Sequence, residues 1–342
     1  MIRVGLLGAT KIAARAVIAP AAGRDDVRVV AVAAHDHGRA TTFGAEHGLP
    51  RVHRTYADLL GDQDVDAVYI STHPSAHAAL ALAAMRAGKH VLVEKPLCLG
   101  ACEAETLRLA AERAGVCLHE AVMAAHLPWA EAVPELAESH DLGALREIRT
   151  DLVFDRQGDL GYRAYPELGG GAFLDTAPYW LQMLQACRGL DVTSVRAGSA
   201  FDGPNGVDLA TEAVLGYPDG VTATLACGLS GRFRADHTFT FDGGAIRVRN
   251  FMLPARGRLP LNVFVRPAGR TPATVGFGPA DYFERQLAAF AELAAAPDRG
   301  ARLLDQAVDR AALAERVRLT ALRSRRDAPP SRPPLPLDVP AS

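Results

Sequence analysis

The strongest constraint on this chain is the alternation of its first third. Short apolar runs recur at Ile2–Leu7, Val27–Ala34, Val65–Ser71, His90–Val93 and Val116–His119, each too short for a helix and rich in β-formers. Between them lie helical stretches from Lys11, over Thr41–His47 (stopped by Gly48-Leu49-Pro50), over Ser75–Ala87 (stopped by Gly88) and over Glu103–Ala114. Strands that are apolar along their whole length and alternate with helices imply a parallel sheet covered on both faces.

The texture changes after about Leu142. Ala144–Asp155 alternates polar and apolar, and similar strands are expected at Val192–Ala197, Thr211–Gly216, Val221–Cys227, His237–Phe241, Ala245–Val248 and Leu261–Val265, with turns at Pro218-Asp219-Gly220 and Asp242-Gly243-Gly244. That is the pattern of a mostly antiparallel, open sheet with one face uncovered, in an α+β unit whose helices run over Gly171–Cys187, Tyr282–Ala295 and Ala301–Leu322. The expected division is a Rossmann domain over 1–122, a substrate and oligomerisation domain over 123–326 whose last helices pack back on the first, and a proline-rich tail over 327–342. The uncovered sheet face is expected to be apolar enough to make a homodimer or homotetramer.

Composition removes other classes. Thirty-seven Lys and Arg against 39 Asp and Glu leave a net charge of −2, so no basic excess points to nucleic acid. No apolar run approaches the roughly 18 residues of a membrane span, and the start has no signal-peptide layout. The five scattered cysteines fit reduced thiols, and the expectation is a cytoplasmic enzyme. His73 and His77, or Cys98 and Cys102, lack the further ligands that a metal site needs, so no metal is expected.

Gly8-Ala9-Thr10-Lys11-Ile12-Ala13 joins the first strand to the first helix, where a helix N-terminus offers free N–H groups to a pyrophosphate. The usual Gly-x-Gly-x-x-Gly/Ala pattern reads here as Gly8-x-Thr10-x-x-Ala13, with the Thr10 hydroxyl as an expected phosphate donor. After the second strand Ala34 supplies no carboxylate for a ribose, whereas His35 and Arg39 suit a 2′-phosphate. NADP is the expected cofactor, with NAD open through Asp36.

Gly88-Lys89-His90-Val91-Leu92-Val93-Glu94-Lys95-Pro96 sets a lysine at the carboxyl end of a parallel strand, where open α/β sheets bind ligands. Farther on, Tyr162–Tyr179 contains Arg163, three consecutive glycines, then Asp175 and Tyr179 four apart on one helix face. With Ser71, Thr72 and His77, these segments resemble the glucose–fructose oxidoreductase/inositol dehydrogenase/MocA family, over about residues 1–325 and nearest to its dihydrodiol dehydrogenase and sugar 3-ketoreductase branches.

The resemblance implies an NAD(P)-dependent oxidoreductase that moves a hydride between nicotinamide and a hydroxyl or keto carbon of a polar sugar, cyclitol or diol. It assigns Lys95 to the substrate oxygen and the nicotinamide ribose, Asp175 to substrate orientation and Tyr179 to proton transfer. Arg163 and Met123 are expected at the substrate. The expected cofactor set is Gly8, Thr10, Lys11, Ile12, His35, Arg39, Thr72, His73, His77, Glu94 and Lys95. The neighbouring Lys⁺ is expected to lower the Tyr179 pKa. Two departures stand out. Thr72-His73-Pro74 replaces the family's Thr-Pro-Asn, and Ala124-Ala125 replaces an aromatic–Arg pair, which implies an enlarged or less polar pocket. A catalytically silent nucleotide-binding regulator or partner subunit of the same fold is the competing reading.

Overall fold

Six strands, β1 (Ile2–Leu7), β2 (Val27–Ala33), β3 (Arg51–Val52), β4 (Ala67–Ile70), β5 (His90–Glu94) and β6 (Leu118–Ala121), pair in parallel in the spatial order β3-β2-β1-β4-β5-β6. The structure is a computed structural model that describes residues 1–327 except 127, 157 and 159; the tail expected over 327–342 lies almost wholly outside the described residues. Every residue of β4 is buried, as the unbroken apolar run requires. The helices are α1 (Lys11–Ala13), continued by a π-turn over Ala14–Ile18, then α2 (Ala19–Ala21), α3 (His37–Glu46), α4 (Tyr56–Gly61), α5 (Pro74–Arg86) and α6 (Ala101–Ala114). The winding reverses between β1 and β4, so a crevice opens at their carboxyl ends, beside Gly8 and Ser71.

Helix α7 (Trp129–Ser139) and strand β7 (Leu145–Val153) lead to α8 (Ala172–Cys187). Strands β8 (Ser194–Gly198), β9 (Ala210–Gly216), β10 (Thr222–Gly228), β11 (Arg234–Phe241), β12 (Gly244–Val248), β13 (Leu259–Pro267) and β14 (Ala273–Ala280) complete an eight-stranded sheet ordered β14-β13-β12-β11-β7-β10-β9-β8. Its pairs are antiparallel except β7 with β10, which are parallel because the chain leaves β7 through α8 and returns by way of β8 and β9. Strand β14 and helix α7 escape a pattern reading: Gly276, Gly278 and Pro279 interrupt the strand, and Pro134 lies inside the helix.

One face of this sheet packs on α8, whose whole first half is buried. The other face is open within the chain, but it is not the apolar surface expected. It carries Thr222, Thr224 and Thr238 and the ion pairs Arg149–Asp151 and Arg247–Asp236. Helix α9 (Tyr282–Ala295) lies against the π-turn and the Met123–His126 turn, and α10 (Ala301–Asp327) lies along α6, α8 and β8. Among the described residues no helix is long and apolar enough to cross a membrane, and no cluster of three or more His, Cys, Asp or Glu is arranged to hold a metal.

Four histidines are wholly or largely buried. Burial pushes His77 and His126 down to about 4, and His119 and His237 down to about 3. His237 Nδ1 meets Thr150 Oγ1 at 2.8 Å, and its ring stacks on Phe251. These rings are neutral in the folded chain, whereas the unfolded chain protonates them near pH 6.5. Their contribution is therefore complete above about pH 6.5 and is lost as the pH falls toward the folded values. Thermal unfolding followed from pH 7.5 to 4.5 should show a midpoint that begins to fall below about pH 6.5. The slope is up to about 1.4 kcal/mol per pH unit for each ring. A midpoint constant down to pH 4.5 would contradict this account.

Candidate active site

Gly8 closes the crevice floor at φ +119°, and a Cβ there would stand 2.9 Å from Ser71 Oγ; only glycine fits this approach. The following helix starts at Lys11 with its N-terminus toward the crevice, the arrangement that receives a pyrophosphate. Thr10 does not present a free hydroxyl for phosphate as expected. Its Oγ1 donates to Ser71 Oγ at 2.8 Å and accepts from Ala13 N at 3.1 Å, so it caps the helix.

From this floor a cleft of about 430 Å³ extends past Thr72 and His73 on one side and His35, Asp36 and Arg39 on the other. Tyr56, Ala76, Ala79 and Leu80, for which no sequence signal existed, complete its wall. Asp36 caps α3 through Oδ1, which accepts from Gly38 N at 2.8 Å and Arg39 N at 3.2 Å. Arg39 is exposed and reaches back to within 3.4 Å of the Ala9 carbonyl, across the cleft entrance. The residues present fit a dinucleotide.

Next to this cleft, Lys95 follows β5 and its peptide bond to Pro96 is cis. Its Nζ donates to both the carbonyl oxygen and Oδ1 of Asp175, each at 2.8 Å. Arg163 grips the same carboxylate from the other side, Nε to Oδ2 at 2.7 Å and Nη2 to Oδ1 at 3.0 Å. Asp175 is 3% exposed. Despite that burial, the two cations hold its carboxyl far below the usual range. One turn along α8, the Tyr179 ring lies 5.1 Å from Lys95 Nζ, and its hydroxyl has no hydrogen-bond partner among the described residues.

Neighbouring groups fix this arrangement. His77 is fully buried, with Nδ1 2.8 Å from the Pro96 carbonyl and Nε2 3.2 Å from that of Thr72. Glu120 Oε1 accepts from Leu97 N at 2.9 Å while Oε2 takes Arg310 at 2.7 Å, which ties the lysine loop to α10. Tyr69 donates to Glu94 at 2.6 Å. At the start of α8, Phe173 N donates to Asp208 at 2.7 Å. A Cβ on Gly171, at φ +104°, would collide with that Asp208 carboxylate.

Several expected roles change accordingly. Asp175 accepts three side-chain hydrogen bonds from Lys95 and Arg163, and Arg163 turns its Nε and Nη2 onto that carboxylate, so each holds the other within the protein. His77 is a buried support, not a lining group of the cleft. Glu94 is engaged by Tyr69, Lys11 is exposed and Ile12 is half-buried; none of the three lines the cleft. Met123 is packed in the core; of the Ala124-Ala125 pair, Ala124 is buried in the turn against α9 and Ala125 is exposed. The Tyr179 pKa is raised well above its ordinary value, because burial and the Glu94 and Asp175 carboxylates outweigh the cations.

Residues 2–122 match the model of the GFO/IDH/MocA oxidoreductase family, NAD-binding Rossmann fold, and residues 130–247 match the GFO/IDH/MocA C-terminal domain. A dTDP-3,4-didehydro-2,6-dideoxy-alpha-D-glucose 3-reductase from Streptomyces violaceoruber is 32% identical over 305 residues, covering 88% of this chain and 87% of that protein. A trans-1,2-dihydrobenzene-1,2-diol dehydrogenase from Bos taurus is 32% identical over 60% of this chain and 62% of its own. A 3-ketoreductase from Actinomadura kijaniata, solved in complex with NADP and TDP-benzene, matches with a TM-score of 0.87 at 26% identity, covering 93% of this chain and 97% of that one.

Removing the charge of Asp175 would leave Lys95 and Arg163 buried side by side with no counter-ion. Asp175→Asn should therefore destabilise the chain by about 3–5 kcal/mol, the usual cost of breaking a buried ion pair. Urea unfolding of the variant and the wild type measures this. Unchanged stability with only a raised KM would return Asp175 to the role of a substrate ligand.

Proposed function

The chain belongs to the GFO/IDH/MocA oxidoreductase family, and on that premise we propose that it reduces the keto group of a nucleotide-linked sugar at the expense of NADPH. It is an NAD(P)-dependent oxidoreductase that acts on a hydroxyl or keto carbon of a sugar, cyclitol or diol-type substrate. The observation that carries the finer reading is the juxtaposition of the Lys95 ammonium and the Tyr179 phenol, one turn from Asp175, beside a dinucleotide cleft. The relatives named as 3-reductases of a dTDP-linked deoxysugar support the sugar class.

When bound, the nicotinamide supplies the hydride. Lys95 is held in position by Asp175, so its charge is fixed before substrate arrives and stabilises negative charge developing on the reacting oxygen. Tyr179, with its raised pKa, stays protonated at neutral pH and is loaded as the acid for reduction. A silent regulator of the same fold would have no need for a positioned ammonium and a free phenol together.

Arg39 at the cleft entrance, with Asp36 committed to its helix, supports NADP over NAD. The two separate sheets support a division into a dinucleotide domain over 1–122 and a substrate and oligomerisation domain over 123–326. The open face of the second sheet, polar and ion-paired rather than apolar, is the surface this reading assigns to a homodimer or homotetramer, and five cysteines without a disulfide support a cytoplasmic enzyme. A monomer by light scattering at micromolar concentration would remove the assembly from this reading.

NADPH consumption on a panel of ketosugars tests the activity. Tyr179→Phe should lower kcat by about 10²–10⁴-fold while NADPH affinity is unchanged, since only the transferable proton is lost. Full kcat in that variant would remove the phenol from the mechanism. Arg39→Ala should narrow the preference for NADPH over NADH, and an unchanged ratio would return the assignment to Asp36. No turnover on any carbonyl, with NADPH still bound, would favour the silent regulator.

A further inference from the structure

We infer that Phe154, Arg156, Phe233 and Arg256 form the subsite that holds the nucleoside diphosphate of the substrate, an inference that rests on the reading of the chain as a nucleotide-sugar reductase. Phe154 leaves the end of β7 and Phe233 precedes β11, and their ring centroids lie 6.2 Å apart. A guanidinium covers each ring: Arg156 lies 5.5 Å from the Phe154 centroid and Arg256 lies 5.6 Å from that of Phe233. Both rings are half-buried and both arginines are exposed.

Two features mark this patch. On the same sheet Arg149 and Arg247 are paired with Asp151 and Asp236, and Arg196, Arg234 and Arg266, which have no ion pair among the described residues, cover no aromatic ring. Arg156 and Arg256 have no carboxylate within ion-pair distance among the described residues; Asp155, beside Arg156, is engaged with a partner of its own. The patch also adjoins the start of α8. Arg156 N donates to the Leu229 carbonyl at 3.0 Å and Leu229 N donates to the Leu209 carbonyl at 2.9 Å, next to the Asp208 that caps α8. The turn Leu253–Arg256 is tied by Arg15 Nη2 to the Ala255 carbonyl, at 2.6 Å, which anchors it to the helix that follows the glycine loop.

Paired guanidiniums and exposed aromatic faces are the chemistry that recognises a diphosphate and a base. Arginine forks onto phosphate oxygens, and a phenylalanine ring stacks on any base. From this ledge the sugar would extend inward to Lys95 and Tyr179 and the nucleotide would remain outside, so the two ends of one substrate meet different chemistry. A free sugar would use only the inner half.

The test is calorimetric binding to the full chain presaturated with NADP⁺, so that the dinucleotide cleft is closed to competitors. The probes are dTDP, thymidine and inorganic pyrophosphate. The wild type should bind dTDP more tightly than either fragment. Arg156→Ala and Arg256→Ala should each weaken dTDP about tenfold or more and weaken pyrophosphate in parallel. Phe233→Ala should weaken dTDP and leave pyrophosphate unchanged. Retained NADP⁺ affinity shows that each variant is folded. Wild-type dTDP binding that survives Arg156→Ala/Arg256→Ala would overturn the subsite. So would failure of the wild type to bind dTDP, and turnover of free ketosugars would then leave the oxidoreductase standing without it. These readouts are of binding alone, so a failure of catalysis in Tyr179→Phe is a separate event.

Discussion

The carboxylate of Asp175 is the point on which the rest of the site depends. It receives Lys95 from the first sheet and Arg163 from the loop before α8, so one buried charge joins two parts of the chain. Removing a carboxylate from water costs several kcal/mol, and only close, hydrogen-bonded cations offset that cost. Here both are supplied, at 2.8 and 2.7 Å. The consequence for function is geometric. Lys95, a long and flexible side chain, loses its freedom on folding and not on binding substrate, so its charge is already placed when the reacting oxygen arrives.

The supports behind this pair come from far apart. Asp208 caps α8 and so sets the height of Asp175 and Tyr179, one turn apart. His77 and Glu120 hold the carbonyl and the N–H of the single peptide that follows Pro96, and Arg310 carries that restraint to the last helix. A helix that ends the chain therefore steadies a loop that ends β5. The dinucleotide cleft, by contrast, is built locally, from the first two strand–helix turns and the start of α5.

Much of this was legible in the sequence, for reasons that differ by residue. The parallel sheet followed from runs such as Ala67–Ile70, because a strand buried on both faces has no polar alternate. Lys95, Asp175 and Tyr179 were visible because they sit in two dense motifs, and helical spacing put the last two on one face. What spacing cannot show is which side chain satisfies which. Arg163 was read as a substrate residue, and the phenol was expected to acidify beside Lys95; folding instead spends Arg163 on Asp175 and surrounds Tyr179 with buried carboxylates. Thr10 reads as a phosphate donor until Ser71, sixty-one residues later, accepts its hydrogen bond. The Arg310–Glu120 tie spans 190 residues and has no local pattern at all.

The account makes Asp175 an internal counter-ion and Lys95 with Tyr179 the pair that meets substrate. A crystal structure of the chain with NADP⁺ and a bound hydroxyl or ketone ligand tests that division directly. It should show the reacting oxygen within hydrogen-bond reach, about 2.6–3.2 Å, of both Lys95 Nζ and Tyr179 Oη. Asp175 should still be held by Lys95 and Arg163. An Asp175 carboxylate released from both cations and bonded to substrate hydroxyls would contradict it.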